Sequence, residues 1–179
     1  MVILKGLDAA SGWFIWHKDL SQESYYLYLN GNFSESDLTQ DTRIWGQQSF
    51  TDSVISMRSN YTTVLNQDYI AYCFHSVDEY QKVGTYSSTG ATGIGNQITT
   101  GFRPRFLLVK SYSTPEDWYI FDSERINLSG SNDGLLFANT PAIENTGFAR
   151  LEFTDTGWYW ETAYGGNSSG YDYIYLAIA

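Results

Sequence analysis

The strongest constraint on the fold is an internal repeat, because the two halves of the sequence carry the same short motifs in the same order. Two motifs recur 105 residues later: Val2-Ile3-Leu4-Lys5 as Leu107-Leu108-Val109-Lys110, and Trp13-Phe14-Ile15-Trp16-His17 as Trp118-Tyr119-Ile120-Phe121-Asp122. Three more follow at offsets of 103 to 109: Tyr28-Leu29-Asn30 with Phe137-Ala138-Asn139, Phe50-Thr51-Asp52-Ser53 with Phe153-Thr154-Asp155-Thr156, and Asp68-Tyr69-Ile70 with Asp172-Tyr173-Ile174. Such collinear matches predict two copies of one unit, which we assign to residues 1–79 and 80–179.

Each repeated motif has the pattern of a β-strand, since it is a short apolar or alternating run bounded by Gly, Ser, Asn or Asp. Aromatic residues make up 17% of the chain, and these residues favour strands. The sequence therefore predicts an all-β fold of duplicated antiparallel β-sandwich units, lectin-like or jelly-roll-like. Strands are expected at 2–5, 12–17, 24–30, 48–57, 68–76, 82–87, 97–100, 104–111, 117–122, 134–138, 148–154, 157–163 and 171–178. One helical turn each is compatible with 32–45 and 76–80.

The second unit has a leading segment that the first unit lacks. Gly84-Thr85-Tyr86 and Thr100-Gly101-Phe102-Arg103-Pro104 precede the Leu107 strand, whereas Met1 stands directly before the equivalent strand of the first copy. Either the native chain extends upstream of Met1 or the first unit has an open edge. We expect a strand-sized gap beside residues 2–5, which a strand from an adjacent copy or from an upstream segment would fill.

The charge of the chain argues against nucleic acid and membrane partners. Ten Lys and Arg against twenty Asp and Glu give a net charge of −10, and phosphate binding needs a basic stripe. No apolar run approaches the roughly 20 residues of a membrane helix, and no targeting segment is visible. The charged fraction of 17% is low compared with about 25% in an average soluble domain. Interface cores share this depletion of charge and richness in aromatics, so we expect a chain with substantial interfaces.

The order of the motifs resembles a known family. The motifs are Trp13-Phe14-Ile15-Trp16-His17-Lys18, Tyr26-Leu27-Tyr28-Leu29-Asn30, Tyr69-Ile70-Ala71-Tyr72-Cys73-Phe74-His75-Ser76-Val77, Thr100-Gly101-Phe102-Arg103-Pro104 through Lys110, and Trp118-Tyr119-Ile120-Phe121-Asp122-Ser123. Together they resemble a domain of unknown function that occurs in predicted tail-fibre and virion structural proteins of marine bacteriophages, especially cyanophages. The resemblance spans nearly the whole chain. It implies a structural or appendage role in a virion and carries over no catalytic residues.

The residues that could carry chemistry have non-catalytic explanations. Cys73 is the single cysteine, and its repeat counterpart is the apolar Ala177, so we expect a buried and inert thiol. His17 and His75 correspond to Asp122 and Ala179, and neither lies in a metal-ligand spacing. No Gly-x-Ser-x-Gly motif is present. The sequence thus gives no metal site and no cofactor.

The carboxylates give little support for a glycosidase, which needs two carboxyl groups across a groove. Asp52 and Asp155 are repeat equivalents that each follow Phe-Thr, in a turn pattern where the carboxylate accepts backbone N–H groups. The loop residues Glu116, Asp117 and Glu124 have the pattern of a solvated surface. The Gly90–Gly95 stretch lacks the Lys of a phosphate loop and is interpreted as a long turn. We therefore predict a protein that is not an enzyme and has no catalytic residues.

Aromatic residues remain as the groups that could contact a ligand or a partner. Six positions that are apolar in both copies are expected in the core: Trp13, Ile15, Trp118, Ile120, Trp158 and Trp160. Tyr164, Asn167 and Tyr171 instead border or lie in the Gly165–Gly170 loop, where side chains should be exposed. These three are the candidate contact residues.

The function expected from these observations is that of a non-enzymatic virion structural protein, part of a tail fibre, spike or capsid-surface appendage. A carbohydrate-binding adhesin that recognises host surface glycans is the alternative, and a glycan hydrolase is the third hypothesis. The expected partners are other virion proteins or copies of the chain itself, with a host surface glycan in the alternative. The expected location is the virion.

Overall fold

The fold is all-β and antiparallel, as expected. The computed structural model describes residues 1–8, 10–36, 44–45, 50–51, 53–57, 66–126, 134–147 and 150–179. The strands in this part are β1 (Val2–Gly6), β2 (Trp13–Trp16), β3 (Leu27–Tyr28), β4 (Tyr69–Cys73), β5 (Gln81–Ser87), β6 (Ile98–Thr99), β7 (Phe106–Ser111), β8 (Tyr119–Asp122), β9 (Leu136–Phe137), β10 (Leu151–Thr154), β11 (Gly157–Trp160) and β12 (Asp172–Ile178), with a 3-10 helix at Ile94–Asn96. No helix in these ranges is both long and apolar enough to traverse a bilayer.

The strands form three sheets whose order repeats between the two halves. One sheet has the order β3-β2-β1-β4, and a second has the order β5-β12-β7-β8-β9. Read from the opposite end, the second sheet contains the same ladder, with β9, β8, β7 and β12 in the places of β3, β2, β1 and β4. The third sheet, β10-β11-β6, lies in the second half of the sequence.

The registers of the two ladders are also the same. Ile3 pairs with Ile15 on one side and Tyr72 on the other, and its counterpart Leu108 pairs with Ile120 and Leu176. The motif pairs expected to coincide occupy equivalent places: Trp13 with Trp118, and Tyr69 with Tyr173. An equivalent hydrogen bond closes the end of the second strand in each unit. The Trp13 N–H donates to Asn30 Oδ1 at 2.8 Å, and the Trp118 N–H donates to Asn139 Oδ1 at 2.9 Å. The unit boundaries at 79 and 80 stay a prediction.

Three apolar clusters hold the sheets together. The central cluster joins β1, β2 and β3 to β7 and β12 through residues such as Ile3, Ile15 and Leu176. A second cluster joins the other face of the five-stranded sheet to β10 and β11, and a third covers the other face of the four-stranded sheet. Of the six positions expected in the core, Ile15, Trp118, Trp158 and Trp160 are buried. Trp13 and Ile120 are half-buried because they pack at the margin of the central cluster.

The expected gap beside residues 2–5 is wrong in its position. Strand β1 is internal to its sheet, since it pairs with β2 on one side and with β4 on the other. The edge of the sheet is β4 instead. At the equivalent edge of the second unit, β5 pairs with β12 along seven residue pairs. The leading segment therefore pairs with β12, the last strand of its unit. The order of the motifs along the chain did not indicate this partner.

Two local expectations also differ from the structure. The 76–80 segment forms a turn closed by a bridge between Val77 and Gln81, not a helical turn. The strand expected at 48–57 is wrong for the described residues 50–51 and 53–57, where Met57 forms a single bridge to Trp45. Two parts of these expectations lie outside the described residues. They are residues 37–43 of the helical turn expected within 32–45, and residues 48, 49 and 52 of the expected 48–57 strand.

Candidate functional site

The three predicted contact residues lie in or beside the Gly165–Gly170 loop. They differ in how much of each side chain is exposed to solvent. Tyr164 is 61% exposed, as expected for a contact residue. Tyr171 is half-buried, with its ring 6.4 Å from that of Tyr173. Asn167 is buried, so the expectation of an exposed side chain is wrong there.

Asn167 is buried because its amide holds the loop to its surroundings. The side-chain oxygen accepts a hydrogen bond from Ser88 Oγ at 2.7 Å, and Nδ2 donates to the carbonyls of Ala91 and Thr162 at 3.0 and 2.9 Å. Gly166 next to it has a φ of 113°, and a Cβ there would lie 2.6 Å from Cη2 of Trp160. The hydrogen bonds of Asn167 and the close packing at Gly166 therefore fix the loop against the rest of the second unit. Of the three predicted contact residues, Tyr164 is the one that is well exposed.

A hollow of about 350 Å³ is lined in part by Asn167. Its walls combine hydroxyl and amide side chains with two aromatic residues, and include Ser88, Asn96, Gln97, Tyr86 and Trp160. Neutral hydrogen-bonding groups beside aromatic rings are the groups that bind sugars through hydroxyls and ring faces.

A polar cluster at Lys110 and Glu116 was missed by the sequence interpretation, which assigned Glu116 to a solvated surface. Burial raises the pKa of Glu116, while the nearby Tyr173 and Tyr119 hydroxyls and the charge of Lys110 act in the lowering direction. Burial lowers the pKa of Lys110 to about 8, and its ammonium donates to the Ser111 carbonyl.

The repeat gives this cluster a structural explanation. The first-unit counterparts are Lys5 and Ser11, and Lys5 Nζ donates to the Ser11 carbonyl at 2.9 Å. The two units thus share a lysine near the end of equivalent strands that donates to a backbone carbonyl, of Ser11 in the first unit and of Ser111 in the second, where Glu116 lies nearby as a counter-charge. Perturbed pKa values also occur in structural ion networks, and this cluster fits that case.

Cys73 contradicts the prediction of a buried thiol, since it is free and exposed. Its counterpart Ala177 is buried because β5 lies beside it, with Lys82 as its partner. Nothing in the described part of the first unit takes the place of β5 along β4. The burial of one copy therefore did not transfer to the other.

An apolar groove lies where β4 ends. The described residues leave a cavity of about 590 Å³ there, between the four-stranded sheet and residues 50–51 and 53–55. Its lining includes Val2, Trp16, Phe50, Val54, Ile55, Cys73 and Phe74. Trp16 and Phe50 stack with their ring centroids 3.8 Å apart and form one wall.

Of the other residues predicted to be non-catalytic, His75 lines this groove, whereas Asp155 and His17 are not in its lining. Asp155 is an exposed residue of the turn between β10 and β11, as expected, but the predicted role of its carboxylate is wrong, because the Thr156 N–H there donates to Thr154 Oγ1 at 3.4 Å. Asp52 lies outside the described residues. His17 is buried, and its Nδ1 accepts the Asp19 N–H at 3.2 Å. Within the described ranges, no group of three His, Cys, Asp or Glu side chains is placed to hold a metal ion.

In a comparison with known protein families, a family model described as "Domain of unknown function (DUF7483)" matches residues 1–179. No curated protein and no solved structure matches the chain.

Proposed function

We propose that this chain, which belongs to the family described as Domain of unknown function (DUF7483), is a non-enzymatic structural protein of a virion appendage. The appendage is a tail fibre, a spike or a structure on the capsid surface, and the partners are other virion proteins or copies of this chain. The observation that carries the proposal is the difference between the two repeat units at their sheet edges. One edge is paired with β5, and the equivalent edge at β4 is open in the described structure.

The exposed face of β4 supports an assembly role. Tyr72 is 44% exposed, whereas its counterpart Leu176 is 3% exposed in the centre of a sheet. Ile70 and Cys73 are exposed as well. Proteins usually protect an edge strand with charge, proline or a covering element, and the β4 sequence Tyr-Ile-Ala-Tyr-Cys has neither charge nor proline. Such an edge suits pairing with another protein in an assembly.

The test is the location of the protein after infection. Particles of the virus that encodes the chain are purified and probed by quantitative mass spectrometry and by immunogold labelling with an antibody against the chain. The proposal predicts a fixed copy number per particle and label on an appendage or on the capsid surface. Recovery of the chain only in the particle-free lysate would refute it.

The alternative is a carbohydrate-binding adhesin, which the hollow beside Asn167 and the exposed Tyr164 favour. A glycan array with the purified chain tests it. Binding that is lost in Tyr164→Ala and kept in Tyr80→Ala, a similarly exposed tyrosine, would support the adhesin. A glycan hydrolase has weaker support, because the pKa-shifted Glu116 is enclosed by Lys110 and tyrosine hydroxyls.

A further inference from the structure

We propose that the β4 edge and the apolar groove beside it bind a segment of the same kind as residues 81–104, supplied by a neighbouring subunit of a different protein. Such a segment is an extended strand followed by a Gly-Phe anchor. This inference rests on the proposed assembly function and specifies the type of partner. The second unit provides the template, because there residues 81–104 cover the equivalent edge and contribute to the equivalent core.

The backbone groups of β4 alternate between its two sides. The Phe74 N–H donates to the Met1 carbonyl at 2.8 Å, and the Leu7 N–H donates to the Asp68 carbonyl at 2.9 Å. In an antiparallel pair, hydrogen-bonded and non-hydrogen-bonded positions alternate. The N–H and C=O groups of Ala71 and Cys73 therefore point away from β1, toward the open side.

The equivalent backbone groups of the second unit show what fits there. Tyr175 and Ala177 are the counterparts of Ala71 and Cys73, and they pair with Gly84 and Lys82 of β5. The same pairing along β4 calls for an antiparallel strand. Strand addition of this kind takes affinity from main-chain hydrogen bonds and specificity from side-chain pockets.

The groove supplies such a pocket. By the repeat, its lining residues Val2, Trp16, Phe50, Ile55 and Cys73 correspond to Leu107, Phe121, Phe153, Trp158 and Ala177. In the second unit these counterparts belong to one buried cluster that also contains Phe102. Phe102 comes from the leading segment and is buried. The first unit thus has the walls of this core, and none of its described residues takes the place of Phe102 there.

The size and chemistry of the groove suit an aromatic side chain. A cavity of about 150 Å³ with apolar walls is enough for benzene, and the groove measures about 590 Å³. Lys18 and His75 are the basic side chains in its described lining, and the other side chains are apolar, carry hydroxyl groups or, in Cys73, a thiol. A phenylalanine ring with its flanking backbone therefore fits better than a charged side chain.

A synthetic peptide with the sequence of residues 81–104 tests the proposal directly. It is titrated into the whole chain, and the rate at which iodoacetamide alkylates Cys73 is measured. Cys73 is the chain's single cysteine and lines the groove, and the peptide contains none, so the rate reports on this place alone. We expect one peptide to bind per chain and the alkylation rate to fall by about tenfold or more at saturation.

Two matched comparisons separate the anchor from unspecific binding. A peptide with Phe102→Ala should bind about tenfold or more weakly, because it loses the burial of a large apolar side chain. On the chain, Val54→Asp places a charge in the groove and should weaken binding. Ile143→Asp changes an equally apolar exposed residue outside the groove and should not.

Three results would overturn the inference. They are an unchanged alkylation rate with the peptide, equal protection by the Phe102→Ala peptide, and protection that rises with chain concentration alone, which would assign the edge to a second copy. None of them affects the location of the chain in particles. The proposed function and this inference can therefore fail separately.

Discussion

At the scale of single residues, the repeat counterparts His17 and Asp122 have the same structural role, although one is an imidazole and the other a carboxylate. Each begins the turn after the second strand of its unit and accepts a backbone N–H two residues on, from Asp19 and Glu124 respectively. A neutral imidazole can replace a carboxylate there because Nδ1 is a hydrogen-bond acceptor. The histidine has a consequence for stability in acid, since burial lowers its pKa to about 3.

We expect His17→Asn to make the protein less sensitive to acid. Below about pH 6.5 the unfolded chain binds a proton at His17 and the folded chain does not, so acid favours unfolding until the folded pKa is reached. The wild type should lose about 2 kcal/mol more than the variant between pH 6 and pH 4. Chemical denaturation across this pH range measures the difference. The exposed His75→Asn is the control, and an equal acid response in wild type and His17→Asn would contradict the prediction.

Trp118 is the residue whose truncation should cost most at the contact between the units. It is buried in the central cluster, and its Nε1 donates to the Tyr28 carbonyl at 2.8 Å across the two units. Trp118→Ala should lower the free energy of unfolding by about 3–5 kcal/mol. Its repeat counterpart Trp13 is half-buried, so Trp13→Ala should cost clearly less in the same thermal and denaturant melts. Equal losses for the two variants would contradict the asymmetry.

Comparison of single residues also shows what the sequence could predict. The apolar repeat counterparts Ile55 and Met57 predict that Trp158 and Trp160 lie in the core. Both tryptophans are buried, so this prediction is confirmed. The same argument failed for Cys73, because burial depends on what covers a residue as well as on its own strand. The predicted exposure of Asn167 is wrong for another reason. A polar side chain in a glycine-rich loop looks exposed until its three hydrogen-bond partners are known, and Ser88 and Ala91 are distant in sequence.

At the scale of elements, β4 and β12 have equivalent places in the ladder and different surroundings. The repeat offset predicted which strands correspond, and the registers confirm it. It did not predict that the leading segment pairs with the last strand of its unit. The distance along the chain between β5 and β12 explains this, because nothing local in either strand specifies the partner.

Proline substitutions on β4 should separate its paired side from its open side. Ala71→Pro removes an N–H that faces the open edge, and Tyr72→Pro removes one that bonds to β1. We expect Ala71→Pro to melt within a few degrees of the wild type and to lose binding of the 81–104 peptide. Tyr72→Pro should be destabilised by about 3 kcal/mol or more. Thermal melts measure both variants, and similar destabilisation by the two would show that β4 is paired on both sides.

At the scale of the whole molecule, the layers follow from the duplication. The two large sheets pack through the central cluster, and each has a further cluster on its other face. The second unit closes its outer layer with β6 and Phe102, which come from the leading segment. The described part of the first unit has an apolar groove and an open strand instead. The sequence predicted that the units would differ in this segment, and the structure shows which edge is affected.

Hydrogen exchange of four equivalent amides tests the open edge most directly. The amides are those of Ala71 and Cys73 on β4 and of Tyr175 and Ala177 on β12, followed by NMR in the isolated chain at a concentration where light scattering gives a monomer. Tyr175 and Ala177 should exchange only with global unfolding, because β5 pairs with them. Ala71 and Cys73 should exchange about 100-fold faster or more, and slow down when the edge is occupied. Equal protection of all four amides in the monomer would contradict the open edge and the assembly function derived from it.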